Sequence, residues 1–359
     1  MQTWIVLLNW NGWRDTIECL ESLLRLTTPS VGVIVCDNAS EDGSCEKIQL
    51  WAEGKIAAIP ANPQLESLSS PPLPKPLPLL SLTRQQAARA SADSAARLVL
   101  IQTGANLGFA GGNNVGLRYA LADRECQYFW LLNNDTVAEA NALDALLQHM
   151  RLHREVGLCG SLNLSYHAPH QIQAHGGHRY NRWTGRVPAS PRRPRHQPGT
   201  PPPIDYIHGA SMLASRAFLE QVGLLDESYF LYFEELDWAM RSRGHFDLGY
   251  APDSVIYHKE GASIGSHSDR NKRSLVSDQH LTRSRILFTR RHYPWQLPSV
   301  LLSVLAAAVY RLLRGNPKRA GVMLRAMLAG LRSPQGSLSR SEPPSISTSR
   351  HDVNSQTGC

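Results

Sequence analysis

The sequence predicts an open α/β sheet, and three observations carry that prediction. Four short apolar runs of strand length fall within the first 135 residues, each run ends in a polar tip holding Asn or Asp, and apolar residues at helical spacing follow the tips. Repetition of strand, polar tip and helix is the pattern of a sheet flanked by helices, with ligands bound beyond the carboxyl ends of the strands. The chain has 359 residues, 42% hydrophobic and 19% charged, so a sizeable core is expected and disorder of the whole chain is not.

The elements follow in order. Trp4–Leu8 is a fully apolar run of the kind buried on both faces in parallel sheets, and it ends at Asn9-Trp10-Asn11-Gly12. Trp13, Ile17, Leu20 and Leu24 then recur at helical spacing. Val31–Cys36 ends in Asp37-Asn38-Ala39-Ser40, Leu98–Gln102 in Gly104-Ala105-Asn106, and Tyr128–Leu132 in Asn133-Asn134-Asp135. Leu143, Leu146, Leu147 and Met150 mark the helix after the fourth run. Any one tip is explained by the turn-forming habit of Asn and Asp; four together favour a polar ligand site.

Two stretches break the pattern. Pro63–Ala96 begins with six prolines between Pro63 and Pro78 and turns Ala/Ser/Arg-rich, which predicts a solvated insertion with a short exposed helix near Gln85–Ala96. Tyr166–Pro203 is irregular and holds six arginines (Arg179, Arg182, Arg186, Arg192, Arg193, Arg195) without an acid. Such a loop either faces a phosphorylated or lipid-linked acceptor or is solvated surface. Beyond it, Ser215–Val222 reads as a short helix closed by Gly223. The aromatic run Tyr229–Phe233 leads into a helix opened by Glu234, Glu235 and Asp237 and stopped at Gly244. Val255–His258 reads as the last strand of this body.

The formal charge is +7, from 37 Lys+Arg against 30 Asp+Glu, and it is unevenly placed. Between Gly261 and Ser341 there are 14 Lys/Arg against Asp269 and Asp278 alone, so the rest of the chain is mildly acidic. No helix-turn-helix, zinc-finger or RNP-type pattern accompanies the charge, and nucleic acid is not expected as a partner. Pro294–Leu313 and Val322–Leu331 are apolar segments edged by Arg311, Arg314, Lys318, Arg319, Arg325 and Arg332. They fit helices lying on an anionic membrane surface, or a helical pair packed on the body. Ser333–Cys359 is Ser/Pro-rich and is expected to be disordered. There is no clean apolar run of spanning length, and Met1–Asn9 lacks the basic start and cleavage site of a signal peptide. The six cysteines show neither CxxC pairs nor metal spacing and read as reduced thiols. A cytoplasmic protein, peripheral on the inner face of the cell membrane, is the expectation.

Three groups of residues carry possible chemistry. Asp135, closing the fourth run, suits a hard cation such as Mg²⁺ or Mn²⁺, although one carboxylate is too few to hold it alone. His258, at another strand end, could supply nitrogen if the fold brings it beside Asp135; otherwise it is a core histidine. Glu234, Glu235 and Asp237 have a bland explanation in the helix dipole, but the aromatic wall before them suggests an acid of raised pKa able to act as a base. Asn106–Asn114 is a glycine-rich loop entering a helix, neither a P-loop nor GxGxxG, whose glycines would let backbone approach a phosphate.

The collinear series Asn9–Gly12, Asp37–Ser44, Asn106–Asn114, Asn133–Asp135 and Tyr232–Asp237 resembles the family 2 glycosyltransferases, closest to the rhamnosyltransferase-like branch. The resemblance spans roughly Met1 to Ser266. It implies a GT-A fold, Rossmann-like, with a mixed open sheet flanked by helices. It also implies transfer of a sugar from a nucleotide-diphosphate donor with inversion. On that resemblance Asn9 and Asp37 meet the nucleobase side of the donor, and Asn106, Gly108, Gly112, Asn113 and Asn134 line the nucleotide. Asp135 and His258 hold Mg²⁺ or Mn²⁺, Glu235 deprotonates the acceptor hydroxyl, and Glu234 and Asp237 stand on the acceptor side or support it. Two departures stand out: Asn133 where the metal motif starts with Asp, and Glu235 where Asp is frequent. The QxxRW signature of processive synthases is absent, which favours addition of a single sugar.

The expected organisation is a catalytic domain at 1–266 with the 63–96 insertion, a basic helical extension at 267–332 and a tail at 333–359. The expected donor is dTDP-rhamnose or a UDP-hexose, and the acceptor a glycan or lipid-linked hydroxyl. The rival readings are a silent nucleotide-sugar-binding module at the membrane and a sugar-phosphate nucleotidyltransferase. The latter would want a basic glycine-rich loop right after the first strand, where Asn9–Gly12 is short and uncharged.

Overall fold

The computed structural model describes residues 3–90, 96–188, 203–260 and 274–333. The strands are β1 (Thr3–Asn9), β2 (Val31–Asp37), β3 (Leu79–Thr83), β4 (Leu98–Gln102), β5 (Tyr128–Asn133), β6 (Thr136–Ala138), β7 (Val156–Ser165), β8 (Ala168–His175), β9 (Gly177–His178), β10 (Tyr206–Ile207), β11 (Ser211–Ser215) and β12 (Asp247–His258). The helices are α1 (Trp13–Leu23), α2 (Ser44–Ala52), α3 (Arg84–Arg89), α4 (Gly108–Leu121), α5 (Ala142–Leu152), α6 (Arg216–Val222), α7 (Glu234–Ser242), α8 (Leu275–His292), α9 (Leu297–Leu313) and α10 (Pro317–Arg332).

All twelve strands form one sheet with β1 near its centre, running β10-β9-β8-β7-β11-β5-β1-β2-β4-β3, while β12 pairs with β7 and β6. The five strands β5, β1, β2, β4 and β3 are mutually parallel, which aligns the Asn9, Asp37 and Asn133 tips along one edge. Antiparallel β11 joins β5 to β7, and β12 runs parallel to β7 until His258 ends level with Ser165. Apolar clusters fill both faces. One packs Ile5, Leu7, Val35 and Leu100 against α1, α2 and α5, and the other packs Trp4, Val6, Ile34 and Ile101 against α4. This two-sided burial is why the parallel strands read as unbroken apolar runs.

The proline-rich insertion departs from the solvated segment expected. A 3₁₀ turn at Pro63–Leu68 sinks Leu65 into a cluster with Val137, Leu164 and Tyr257, and the Tyr166 hydroxyl accepts the backbone N–H groups of Ala61 and Asn62. Lys75 then pairs with buried Glu21 at 2.9 Å, and Leu79–Thr83 adds the parallel edge strand β3. The prolines precede that strand, so its ladder donors are intact. The Gln85–Ala96 helix is realised as Arg84–Arg89, and residues 91–95 lie outside the described set. Part of the basic irregular stretch is also ordered, as β8 and β9; Arg192, Arg193 and Arg195 lie outside the described residues.

The C-terminal helices are not alike. α8 packs into the body, its Leu287 and Phe288 sharing a cluster with Tyr229, Phe233 and Leu236. α9 and α10 pack on α8 through Val300, Val304, Ile286 and Met323. By length and composition Pro294–Leu313 could cross a membrane, a feature that the search for a clean apolar run did not reveal because the segment carries Arg311. The tail from 334 lies outside the described residues.

Candidate active site

The strand tips form a layered polar network whose deepest members serve the fold. Asn9 is fully buried: its Nδ2 donates to Asp37 Oδ1 at 2.7 Å and Ser40 Oγ at 3.1 Å, and its Oδ1 accepts from Thr16 Oγ1 at 2.9 Å. Asn134 Nδ2 donates to Thr16 Oγ1 at 2.9 Å and to Asn9 Oδ1 at 3.3 Å. Both were expected as donor contacts. Their side chains are instead engaged inside the protein, because a buried amide must satisfy its own hydrogen bonds. What they do is aim Asp37, whose other oxygen accepts the Ser40 N–H at 3.1 Å.

The glycine-rich loop is likewise closed by protein. Asn38 Nδ2 donates to Asn106 Oδ1 at 3.0 Å, and Asn38 Oδ1 accepts the Leu107 N–H at 2.9 Å. At the start of α4 the Gly108 N–H donates to Asn106 Oδ1 and the Phe109 N–H to the Phe230 carbonyl at 2.8 Å, so these donors are not free for phosphate. Gly108, at φ +71°, is pressed against Phe230, and Gly112 against Leu8 and Asn38. Asn113 donates to the Phe109 carbonyl, and Asn114 holds Leu225 and Glu227. In the structure Gly108, Gly112 and Asn113 pack and latch the loop against Phe230, Leu8 and the Phe109 carbonyl. Only Asn106 of this set is exposed at the rim.

What the loop latches is the segment that carries Glu235. Tyr232 and Phe233 just before it take positive φ values of +67° and +75°, a costly conformation for aromatic residues that the surroundings must enforce. The Tyr232 hydroxyl meets Ser277 Oγ at 2.7 Å, Ser284 of α8 donates to the Leu231 carbonyl, and Phe233 packs edge-on to Tyr180. At the start of α7 the three acids diverge. Asp237 turns back to α8 and its own helix, with Arg241 Nε at 2.7 Å, His292 Nε2 at 2.7 Å and Arg291 Nη1 at 3.4 Å. Burial would raise its pKa, but these donors outweigh it and bring it down to about 2. Asp237 therefore braces the start of α7 against α8. Glu235 has no such cation: burial pushes its carboxyl up to about 7, and its Oε2 has no hydrogen-bond partner. Buried Glu234 is also raised, by desolvation and by the neighbouring Glu235 charge.

Asp135 and His258 do come together. Asp135 Oδ1 lies 3.2 Å from His258 Nε2, and Asn133 Nδ2 lies 3.4 Å from the same nitrogen. Burial alone would raise the Asp135 pKa; the charge and hydrogen bond of His258, with Lys259 behind, hold it below the ordinary value. Burial would likewise lower the His258 pKa, and Asp135 overcomes this and raises it. Gln173 Oε1 sits 3.0 Å from His258 Nδ1, fixing the ring so that Nε2 points at Asp135. An oxygen and a nitrogen donor side by side, with the ring oriented from behind, fit a divalent cation such as Mn²⁺ or Mg²⁺. Among the described residues no group of three His, Cys, Asp or Glu forms a fuller cage, so further ligands would have to come from elsewhere.

A three-residue link joins the two halves. The His208 ring packs edge-on to His258 at 5.7 Å between centroids, Gly209 faces the Glu235 carboxyl and the Phe109 ring, and the Ala210 carbonyl accepts the Asn133 N–H at 3.1 Å. His178 also packs edge-on to His208, at 4.9 Å between centroids. Sequence reasoning missed Asn38, Thr16, Gln173, His208 and Gly209 as site residues. Asn38 was visible inside the Asp37–Ser40 tip; Gln173 and His208 carry no local signal, since each matters only through a partner on a distant strand.

A mixed open sheet with its functional acids at the carboxyl edge, flanked by helices, is the GT-A architecture. Solved structures agree in fold: a mannosyltransferase from Pyrobaculum calidifontis, described in complex with GDP-Man and Mn²⁺, superposes with a TM-score of 0.50 at 13% identity, covering 92% of this chain and 87% of that one. Residues 82–223 match the family model "Glycosyl transferase family 2". The low-salt glycan biosynthesis hexosyltransferase Agl10 of Haloferax volcanii is 27% identical over 248 residues, 62% of this chain and 76% of that protein. An N-acetylglucosaminyl-diphospho-decaprenol L-rhamnosyltransferase of Mycobacterium tuberculosis is 26% identical over 121 residues, 33% of this chain and 38% of that protein. Residues 82–223 thus carry a family 2 glycosyltransferase domain, and the hexosyltransferase relatives support a glycosyltransferase. The matched stretch holds Asn106 and Asp135, while Asp37, Glu235 and His258 lie outside it.

Proposed function

We propose that this glycosyltransferase moves one hexose or deoxyhexose from a nucleoside-diphosphate sugar to a hydroxyl of a glycan or lipid-linked acceptor, with inversion, and that Glu235 is the base. The observation that carries the reading is Glu235 itself: a half-buried carboxyl without a cation partner, raised to about 7 and joined to the Asp135–His258 pair through the 208–210 link. A carboxyl of that pKa is about half ionised near pH 7, and its ionised form is basic enough to accept a proton as a hydroxyl attacks. With Glu235 on one side of the Gly209 link and Asp135 on the other, an acceptor hydroxyl at Glu235 and a leaving diphosphate at Asp135 would lie on opposite sides of the sugar, as inversion requires. A divalent cation held by Asp135 and His258, completed by diphosphate oxygens, would offset the charge on the leaving group. Asp37 reads the nucleobase side, aimed by Asn9 and Ser40, and Asn106 borders the nucleotide.

The relatives support the substrate class. One is described as a hexosyltransferase and another by a lipid-diphosphate acceptor, and a structural neighbour holds GDP-Man with Mn²⁺. The proposed donors are dTDP-rhamnose and UDP-hexoses, and the proposed location is the cytoplasmic membrane surface where such acceptors lie.

Glu235→Gln tests the reading. Turnover should fall by on the order of a hundred- to ten-thousand-fold with donor binding, read by thermal shift against dTDP-, UDP- and GDP-sugars, unchanged. In the wild type kcat/KM should climb as pH rises through about 7, because the base must be deprotonated, and then level off. Undiminished turnover in Glu235→Gln would remove Glu235 from the role; donor binding without turnover in the wild type would point to a silent binding module.

A further inference from the structure

We propose that the outward face of α9, together with the tip of the 181–186 hairpin, is a docking surface for an anionic lipid bilayer. The proposal deepens the lipid-linked acceptor reading and relies on it only for what the docked enzyme meets.

α9 is apolar on both sides. Val300, Val304 and Ala308 are buried against the neighbouring helices, while Trp295, Leu302, Leu305, Val309 and Leu313 form an outward row at helical spacing. Trp295 is 90%, Leu302 66% and Leu313 83% exposed. A helix apolar all round belongs under cover, and here the body covers one side only. The hairpin adds a second element from the catalytic body. The Trp183 carbonyl accepts from Ser299 Oγ at 2.8 Å, Arg186 donates to the Ser303 carbonyl at 3.2 Å, and Gly185 packs on Val300. Trp183, itself half exposed, is thereby fixed at the same end of α9 as Trp295. Tryptophan at the edge of an apolar stripe is the side chain favoured at a membrane–water boundary.

Charge selects the occupant. From Gln279 to Arg340 the chain contains no Asp or Glu. Exposed Arg182, Arg314 and Lys318 border the apolar row. Anionic headgroups complement that border, whereas a second copy of the chain would oppose cation to cation. Val300, Val304 and Ala308, turned inward towards α8 and α10, favour α9 lying along the bilayer surface over crossing it. The hairpin continues from β9, where His178 packs edge-on to His208, so the docking edge and the cleft share one connected wall.

Sedimentation of the full chain with sucrose-loaded vesicles tests this. Wild type should bind phosphatidylcholine vesicles containing one-third phosphatidylglycerol, bind pure phosphatidylcholine at least about tenfold more weakly, and be released by raised salt. Trp183→Ser with Trp295→Ser should weaken binding by about tenfold or more with donor turnover on a soluble acceptor unchanged. Both side chains project from the surface, so an unaltered melt is expected; Leu302→Asp provides an independent second variant. Equal sedimentation of wild type and variants overturns the proposal. So does a concentration-dependent dimer that Leu302→Asp dissolves without any vesicle binding. Vesicle binding that persists while Glu235→Gln keeps full turnover would defeat the catalytic reading and leave this one standing.

Discussion

Gly108→Ala probes whether the glycine-rich loop exists to seat the base-bearing segment. A Cβ at this position would overlap the Phe230 carbonyl oxygen and stand 2.8 Å from its ring Cδ2, closer than real Cβ atoms come to anything. Three costs add. An alanine held at φ +71° loses about 1 kcal/mol relative to glycine. Parting the two segments removes the 2.8 Å hydrogen bond from Phe109 N–H to Phe230, about 1 kcal/mol. Forcing a methyl into a packed contact costs roughly 1–3 kcal/mol more. The total is about 3–5 kcal/mol, which for a domain of this size lowers Tm by on the order of 10 °C. Gly104→Ala is the internal control: φ is similar at +79°, but nothing lies within 4 Å of its Cβ, so only the backbone cost of about 1 kcal/mol applies. Differential scanning calorimetry of both variants, with kcat and KM for the donor, is the assay. Gly108→Ala should melt well below Gly104→Ala and lose kcat, because Phe230 leads directly to Glu235. Equal melting of the two variants with unchanged kcat would show that the Gly108–Phe230 contact does not hold the segment, and the seating argument would fall.

Two further outcomes follow from the charges. Asp237 has a folded pKa near 2 against an ordinary 3.8, so its partners contribute about 2 kcal/mol that is present above pH 4 and lost as pH falls from about 4 to about 2. Acid-unfolding curves of Asp237→Asn should lack that share of the acid limb, and a wild-type slope in the variant would contradict the assignment. Metal binding should depend on nucleotide, since Asp135 and His258 supply two donors only: calorimetric titration with Mn²⁺ should give at least about tenfold tighter binding when a nucleoside diphosphate is present. Equal affinity without nucleotide would mean that protein ligands complete the site.

The parallel core was legible because burial on both faces leaves a plain signature. β1, β2, β4 and β5 each read as an apolar run bounded by a polar tip, and the structure keeps all four. β7 was not legible. It is buried along nearly its whole length, yet Ser161 and Asn163 interrupt it, and the Ser161 hydroxyl is satisfied by Ser211 and Ser254, partners that only the folded sheet brings close. The same limit applies at the site. Acids at strand and helix ends could be seen one by one, but the partner that makes each acid what it is lies far along the chain. Gln173 and His258 are 85 positions apart, and Asp237 and His292 are 55 apart. The glycine loop shows a related limit: glycine permits close approach without saying to what, and at Gly108 the structure brings Phe230 against it.

The contrast between Glu235 and Asp237 bears on where the catalytic unit ends. Two carboxylates a half-turn apart on α7 differ from about 7 to about 2, and burial is common to both. The difference lies in the donors around each acid, and two of the three on Asp237, Arg291 and His292, come from α8. Without α8, Asp237 would keep Arg241 alone, and the Leu231 carbonyl and Tyr232 hydroxyl would lose Ser284 and Ser277. A buried charge short of its partners destabilises its surroundings by several kcal/mol. Those surroundings are the strained Tyr232–Phe233 turn that sets Glu235. A chain cut at Ser266 would therefore lose the base along with the helices, so the useful truncation for separating catalysis from membrane contact falls after α8, between His292 and α9.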